Sequence, residues 1–255
     1  MKKLALTSLV ALFAVPAIAS ANVINDNPMY RPDAGQFYSI TTIASHSENT
    51  NAWALGEQFG YGITDKLAVI VGTTLSQADT FDEAAWNDMS FGLNYRFFEQ
   101  GNIKADLFGS YALGEIWGDH ASFLDKDLTN YIWTLGARVG YVANDWTVAG
   151  HIAIDYVGAE TFNWSDEIIH RVRLGLNGQY LINNDWNVAA GVEYAGITES
   201  WANDNGVWTG TVGVNYSIDA NKYVGAFAGW EMEHATGDWE FEDGFTFGAK
   251  FGIQF

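Results

Sequence analysis

Tyr141-Val-Ala-Asn-Asp-Trp-Thr-Val-Ala-Gly-His-Ile-Ala-Ile-Asp-Tyr156 decides the fold. An aromatic residue leads into a short polar turn at Asn144 and Asp145, and an alternating run follows. Trp146, Val148, Ile152, Ile154 and Tyr156 fall on one side of an extended chain; Thr147, Ala149, His151, Ala153 and Asp155 fall on the other. Successive side chains of a strand point to opposite faces, so one face here is greasy and the other small or polar.

The same unit recurs along the chain. Its turns read Tyr61-Gly-Ile-Thr-Asp-Lys-Leu67, Tyr95-Arg-Phe-Phe-Glu-Gln-Gly-Asn-Ile103, Tyr141-Val-Ala-Asn-Asp-Trp146, Tyr180-Leu-Ile-Asn-Asn-Asp-Trp186 and Tyr216-Ser-Ile-Asp-Ala-Asn-Lys-Tyr223. The leading tyrosines stand 34, 46, 39 and 36 residues apart. A period of that size marks a repeated supersecondary unit, here one hairpin plus a longer loop. Twelve runs are expected, near 36–47, 52–63, 67–77, 87–98, 103–115, 128–142, 146–157, 167–181, 186–198, 207–218, 222–234 and 244–255. At a rise of about 3.3 Å and a tilt near 40°, each spans roughly 28 Å or more, enough for the ~25 Å apolar band of a membrane-spanning barrel. The first and eleventh runs have ambiguous phase, and Glu57 falls on the greasy face of the second. The connections alternate between tight turns and longer loops rich in acids. The expectation is all-β: a single antiparallel transmembrane β-barrel of about 12 strands, with short periplasmic turns and longer acidic external loops. Tyr61, Tyr95, Tyr141, Trp146, Tyr180, Trp186, Tyr216 and Tyr223 would then form an aromatic girdle at the periplasmic level.

The two ends of the chain agree with this reading. Lys2 and Lys3 precede the apolar run Leu4 to Val15, Pro16 breaks it, and Ala17-Ile-Ala-Ser-Ala21 offers small-residue cleavage sites. Residues 1–21 therefore read as a cleaved signal peptide, too short for a membrane anchor. Residues 22–35 read as an N-terminal periplasmic segment, and 36–255 as the barrel. At the other end stands Phe245-Thr-Phe-Gly-Ala-Lys-Phe-Gly-Ile-Gln-Phe255, with Phe245, Phe247, Phe251, Ile253 and Phe255 on one face. This resembles the C-terminal assembly signal of bacterial outer-membrane proteins, an alternating last strand ending in Phe. The resemblance implies a Gram-negative outer-membrane barrel of the porin-like class, with Phe251, Ile253 and Phe255 read by the barrel assembly machinery. It also implies outer-membrane lipids and lipopolysaccharide as surroundings. A β-propeller repeats at a similar length, but a soluble fold has no need of a greasy outward face on nearly every strand.

Charge narrows the function. The chain has 12 basic and 31 acidic residues, a formal charge of −19. Loss of Lys2 and Lys3 with the signal peptide takes it to −21. That argues against nucleic-acid binding. Most of the acids lie in or beside the long loops, as in Glu240-Phe-Glu-Asp243, where Lys126 is the sole base. The other bases lie mainly on the small-polar, lumen-facing positions, since a charge facing lipid at midplane costs about 2–4 kcal/mol. Hairpin register brings them to acids. The turn near Asn184 puts Arg173 opposite Glu193, the turn near Asn144 puts Arg138 beside His151, and the turn near Gln100 puts Arg96 beside Asp106. Across the next loop, His151 and Asp155 approach Arg171 and Arg173. The expected pore-lining residues are Arg96, Asp106, Arg138, His151, Asp155, Arg171, Arg173, Glu193 and Lys250.

Other motifs are weaker. His120-Ala-Ser122 is similar to the His-x-Ser of the outer-membrane phospholipase, but Phe123 and Leu124 follow where that family has Asn-Gly. Nucleophilic catalysis also needs a third, orienting group, and none is apparent. Neither a cofactor nor a metal site is expected: the five histidines show no ligand spacing, and acid clusters such as Glu240-Phe-Glu-Asp243, which could hold a hard cation through oxygen, read rather as a solvated rim. The leading expectation is a non-enzymatic channel for passive diffusion of small hydrophilic solutes with a cation-attracting mouth. The alternatives are a closed structural or surface barrel and a lipid-modifying enzyme.

Overall fold

The computed structural model describes residues 26–77, 85–114, 130–159, 167–197, 206–235, 238–241 and 244–255. The expected signal peptide, His120, Ser122 and most acids of the long loops lie outside the described residues. The chain forms β1 (Phe37–His46), β2 (Asn49–Thr64), β3 (Leu67–Gln77), β4 (Ala85–Gln100), β5 (Ile103–Gly114), β6 (Asn130–Val142) and β7 (Trp146–Ala159). It continues through β8 (Glu167–Leu181), β9 (Trp186–Ile197), β10 (Gly206–Asp219), β11 (Lys222–Ala235), β12 (Asp238–Phe241) and β13 (Thr246–Gln254). Neighbours pair antiparallel in chain order, β11 pairs β13, and β13 pairs β1. That last pairing closes the sheet, leaving no open edge for lipid to meet. Twelve strands make the closed barrel. The short β12, in a stretch expected to be loop, only extends a hairpin from β11.

The turns follow from their residues. Gly101 takes φ 56° between β4 and β5, a conformation glycine adopts without strain. Asn183 Oδ1 accepts from the amides of Asp185 and Trp186 at 2.8 and 2.9 Å, closing the β8–β9 turn. Thr64 Oγ1 does the same for Lys66 and Leu67 at 3.2 and 3.0 Å.

The two faces are inverted relative to a soluble protein. Leu135 is 66% exposed and Leu176 53%, whereas the inward Asn94, Asn187 and Asn215 are each 1% exposed. Such a wall is stable only against hydrocarbon. The aromatics of the turn end point outward and pair across strands, Tyr141 on Trp146 at 5.1 Å and Trp186 on Tyr216 at 5.0 Å. Tyr223 departs from the expected girdle: it is 1% exposed and turned into the lumen. In β11 both parities carry apolar residues, so the phase is set by neighbours. Tyr223 lies opposite Gly252, which has no side chain to obstruct its ring.

Candidate functional site

The lumen contains two charged layers. The first lies near the turn end, where β4, β5 and β6 begin or finish. Arg96 sits directly opposite Asp106, as the turn near Gln100 dictates, and donates from Nε at 2.7 Å. Arg138 reaches the other oxygen of Asp106 at 2.8 Å and lies over the Phe108 ring at 5.9 Å. Asp106 is wholly buried, so each guanidinium compensates a charge that water cannot reach. Arg138 also faces His151 across the β6–β7 pair, but its side chain goes to Asp106 instead. Arg138, expected beside His151, thus belongs to the first layer and not with Asp155 and Glu193.

The second layer lies further along β7, β8 and β9. Asp155 accepts from Arg171 Nε at 2.8 Å, Arg173 Nη2 at 3.1 Å and Thr134 Oγ1 at 2.8 Å. Glu193 meets His151 Nε2 at 2.7 Å and Arg173 Nη1 at 3.5 Å. Arg173 is not opposite Glu193, as the turn-centre estimate had it. Its partner in register is Ala195, and Glu193 stands opposite Gly175. The turn Ile182–Asp185 shifts the pairing by two residues from that estimate, so Arg173 reaches Glu193 diagonally. Gly175 has no side chain where the His151 ring lies, which lets that ring turn toward Glu193. The Arg171 side chain remains 32% exposed although pinned on Asp155.

The part of the site that sequence reasoning missed is the N-terminal segment. Residues 26–35, expected as a periplasmic segment, run across the lumen at the turn end. Asp26 pairs with Lys250 of β13 and accepts from Asn215 of β10 at 3.0 Å. Asn27 donates to Thr147 of β7 at 2.8 Å. The Met29 carbonyl accepts from Arg96 of β4 at 2.7 Å, and its side chain fills the space left by Gly140 of β6. Tyr30 packs edge-on against Tyr38 at 5.4 Å, within a buried cluster that also holds Ile40 and Tyr223. Arg31 donates to the Thr64 carbonyl at 3.1 Å, and Ala34 bridges to Gly62 of β2. A side chain at Gly62 would strike the carbonyl oxygens of Pro32 and Asp33. Met29, Tyr38 and Tyr223 are 0%, 2% and 1% exposed, so the lumen is filled at this level. Two signals in the sequence point this way in hindsight. Gly60, Gly62, Gly140 and Gly252 all fall at the turn ends of strands, and Lys250 has no acid opposite it on β1 or β11.

Phe251 and Ile253 lie on the outward side of β13, and Phe255, exposed just past its end, donates its amide to the Phe37 carbonyl at 2.8 Å. Among the described residues no group of His, Cys, Asp and Glu has metal-site geometry.

No family model and no curated protein matches the chain. Its fold is that of outer-membrane porins. The NanC porin is similar with a TM-score of 0.61 at 9% identity, over 86% of this chain and 98% of that one. The KdgM porin gives 0.57 at 10% identity, over 86% and 99%. KdgM in complex with disordered oligogalacturonate gives 0.56 at 10% identity, over the same shares.

Proposed function

We propose that this barrel is a channel for passive diffusion of small hydrophilic solutes, closed at its turn end by residues 26–35 in the conformation described. The observation that carries the reading is the gradient of exposure down the lumen. Asp155 of the second layer is as buried as Asp106, but His151, Glu193 and Arg171 around it are 10%, 14% and 32% exposed, whereas Arg96 and Arg138 around Asp106 are 5% each. The vestibule wall carries fixed charges of both signs, the chemistry that filters solutes in a narrow pore. The acid-rich long loops add a field that concentrates cations at the mouth and fades over a Debye length of about 8 Å at physiological salt. KdgM has been solved with oligogalacturonate, a polyanion. A mouth this acidic repels polyanions, so the solutes proposed here are neutral or cationic.

A filled turn end also favours a second reading, a closed surface barrel. Conductance in planar bilayers separates the two. The barrel lacking residues 22–35 should conduct more than the full mature chain. Asn27→Cys with Thr147→Cys, joined as a disulfide, should hold the full chain shut until reductant is added. A folded but silent truncated barrel means a closed surface protein. Reversal potentials with and without a chelator test the mouth, because divalent cations bridging the acids to lipopolysaccharide would neutralise it.

A further inference from the structure

The strand that closes the ring is also its shortest. β13 is 9 residues long, against 10 to 16 for the other strands of the ring. On the lumen side its Lys250 lies opposite Thr42 of β1 and Gly225 of β11. Neither neighbour is an acid, so the sheet itself gives this cation no counter-charge. Lys250 finds one outside the sheet, in Asp26. The two side chains are 11% and 16% exposed, so salt screens the pair only weakly. Asp26 also accepts from Asn215 Nδ2 of β10 at 3.0 Å, and Asn215 donates in turn to Asn187 Oδ1 of β9 at 2.8 Å. The segment thus grips β13 and, past β11, the two strands beyond it. Tyr30, four residues on, packs on Tyr38 of β1 at 5.4 Å, in one buried cluster with Tyr223 of β11. The Tyr223 ring covers Gly252 of β13, where a side chain would strike it. β13 is therefore held from within by a segment that also holds β1, β10 and β11.

The place of these residues in the chain gives the contact its meaning. Asp26 stands 11 positions before Phe37, the first residue of β1, but 224 from Lys250. Pairing β13 with β1 closes a loop of nearly the whole barrel, the longest closure in the fold and the one with the largest entropic cost. Lipid tolerates no open edge once that loop is in the membrane. A group tethered to β1 by a short segment meets β13 at an effective concentration that a free strand edge does not reach. We propose that residues 26–35 have a second function, as an internal staple of the seam. Asp26 captures Lys250 and so delivers β13 to β1 as the barrel closes. The contacts of Asn27, Met29 and Arg31 seat the segment on strands away from the seam, which gives the staple a fixed base. The staple acts on closure of the ring, so it does not depend on whether the lumen conducts.

Closure is read without any current, as the heat-modifiable gel mobility that the urea-unfolded mature chain gains on folding into lipid vesicles. Lys250→Met should close about tenfold more slowly than wild type, the order of one hydrogen bond between charged groups. Lys250→Arg, which keeps the cation, should close at nearly the wild-type rate. The chain lacking residues 22–35 should still close, at least as slowly as Lys250→Met. Lys104→Met removes a lumen lysine of β5 whose partner, Glu99 at 3.0 Å, lies outside the segment, and it should close at the wild-type rate. A second measurement separates a role at the seam from a general loss of stability. Ile43→Cys and Ala249→Cys stand opposite each other across the seam, and the chain has no other cysteine. Barrels oxidised at that pair, then unfolded in urea with the bond intact, carry a covalent tether in place of the staple. Their refolding rate should be indifferent to Lys250→Met. Closure of unlinked Lys250→Met at the wild-type rate overturns the proposal. So does equal slowing by Lys104→Met, or slowing by Lys250→Met that persists in the linked chain, which makes the pair an ordinary lumen contact.

Discussion

At the residue scale, the lumen charges are organised around acids rather than around bases. Asp106 and Asp155 are each buried and each held by two arginines, whereas Glu193 shares one arginine with a histidine. Removing a base therefore has unequal consequences. Arg138→Ala leaves Asp106 with Arg96 alone in a sealed layer, and breaking such a buried pair costs about 3–5 kcal/mol. Its urea unfolding midpoint in lipid vesicles should fall clearly. Arg173→Ala is milder for folding, because Asp155 keeps Arg171 and Thr134 while Glu193 keeps His151. Its effect is electrostatic: the second layer becomes more negative and wider. Cation preference, read from reversal potentials, should rise, most at low salt where screening is weakest. An unchanged or falling preference would mean that this layer does not line the path. Most of these pairs could be anticipated from hairpin arithmetic. The role of Arg96 as a hydrogen-bond donor to the Met29 carbonyl could not, because no local pattern joins β4 to a segment that precedes the barrel.

At the element scale, two joints govern the barrel. One is the seam between β13 and β1. Phe255 closes it with a pair of backbone hydrogen bonds to Phe37, at 2.8 and 3.1 Å, and the two rings stand 5.9 Å apart. Deleting Phe255 removes both bonds at an edge that must be paired in lipid. Membrane levels of the truncated protein should fall more than the stability of whatever barrel forms. Wild-type levels with wild-type heat-modifiable mobility would contradict this. The other joint is the seat of the N-terminal segment on β2. Gly62→Val leaves an outer wall that can still pair, but its side chain would collide with the Pro32 and Asp33 carbonyls. The segment should be displaced without unfolding the strands. Limited proteolysis should then cut within residues 26–35 of folded barrels, where the wild type resists. Equal resistance would mean that the seat tolerates the side chain.

At the scale of the whole molecule, the even ring of strands starts β1 and finishes β13 at the end with the tight turns. Cysteine at Asn144, in the β6–β7 turn, should be labelled only after the outer membrane is opened. Cysteine at Asn203, in a long loop outside the described residues, should be labelled on intact cells. Labelling of Asn144 on intact cells would invert the topology, moving the acidic loops and the proposed cation field to the other side.

The sequence by itself determined the barrel: its strands, their outward faces, the tight turns and the antiparallel neighbours. Each of these depends on residues close together in the chain, through period-two alternation and turn chemistry. It also brought Arg96 to Asp106, because one hairpin fixes that pair. Only the tertiary structure decided where residues 26–35 go, which way β11 turns Tyr223, and which acid holds Arg138. It also showed how Ser39 and Thr41 of β1 supply the hydroxyls that hold Glu57 on the lipid face. Those outcomes rest on contacts across the lumen or across strands of ambiguous phase. There the partner is chosen by closure of the ring and by the room that glycines leave, quantities that no stretch of sequence carries alone.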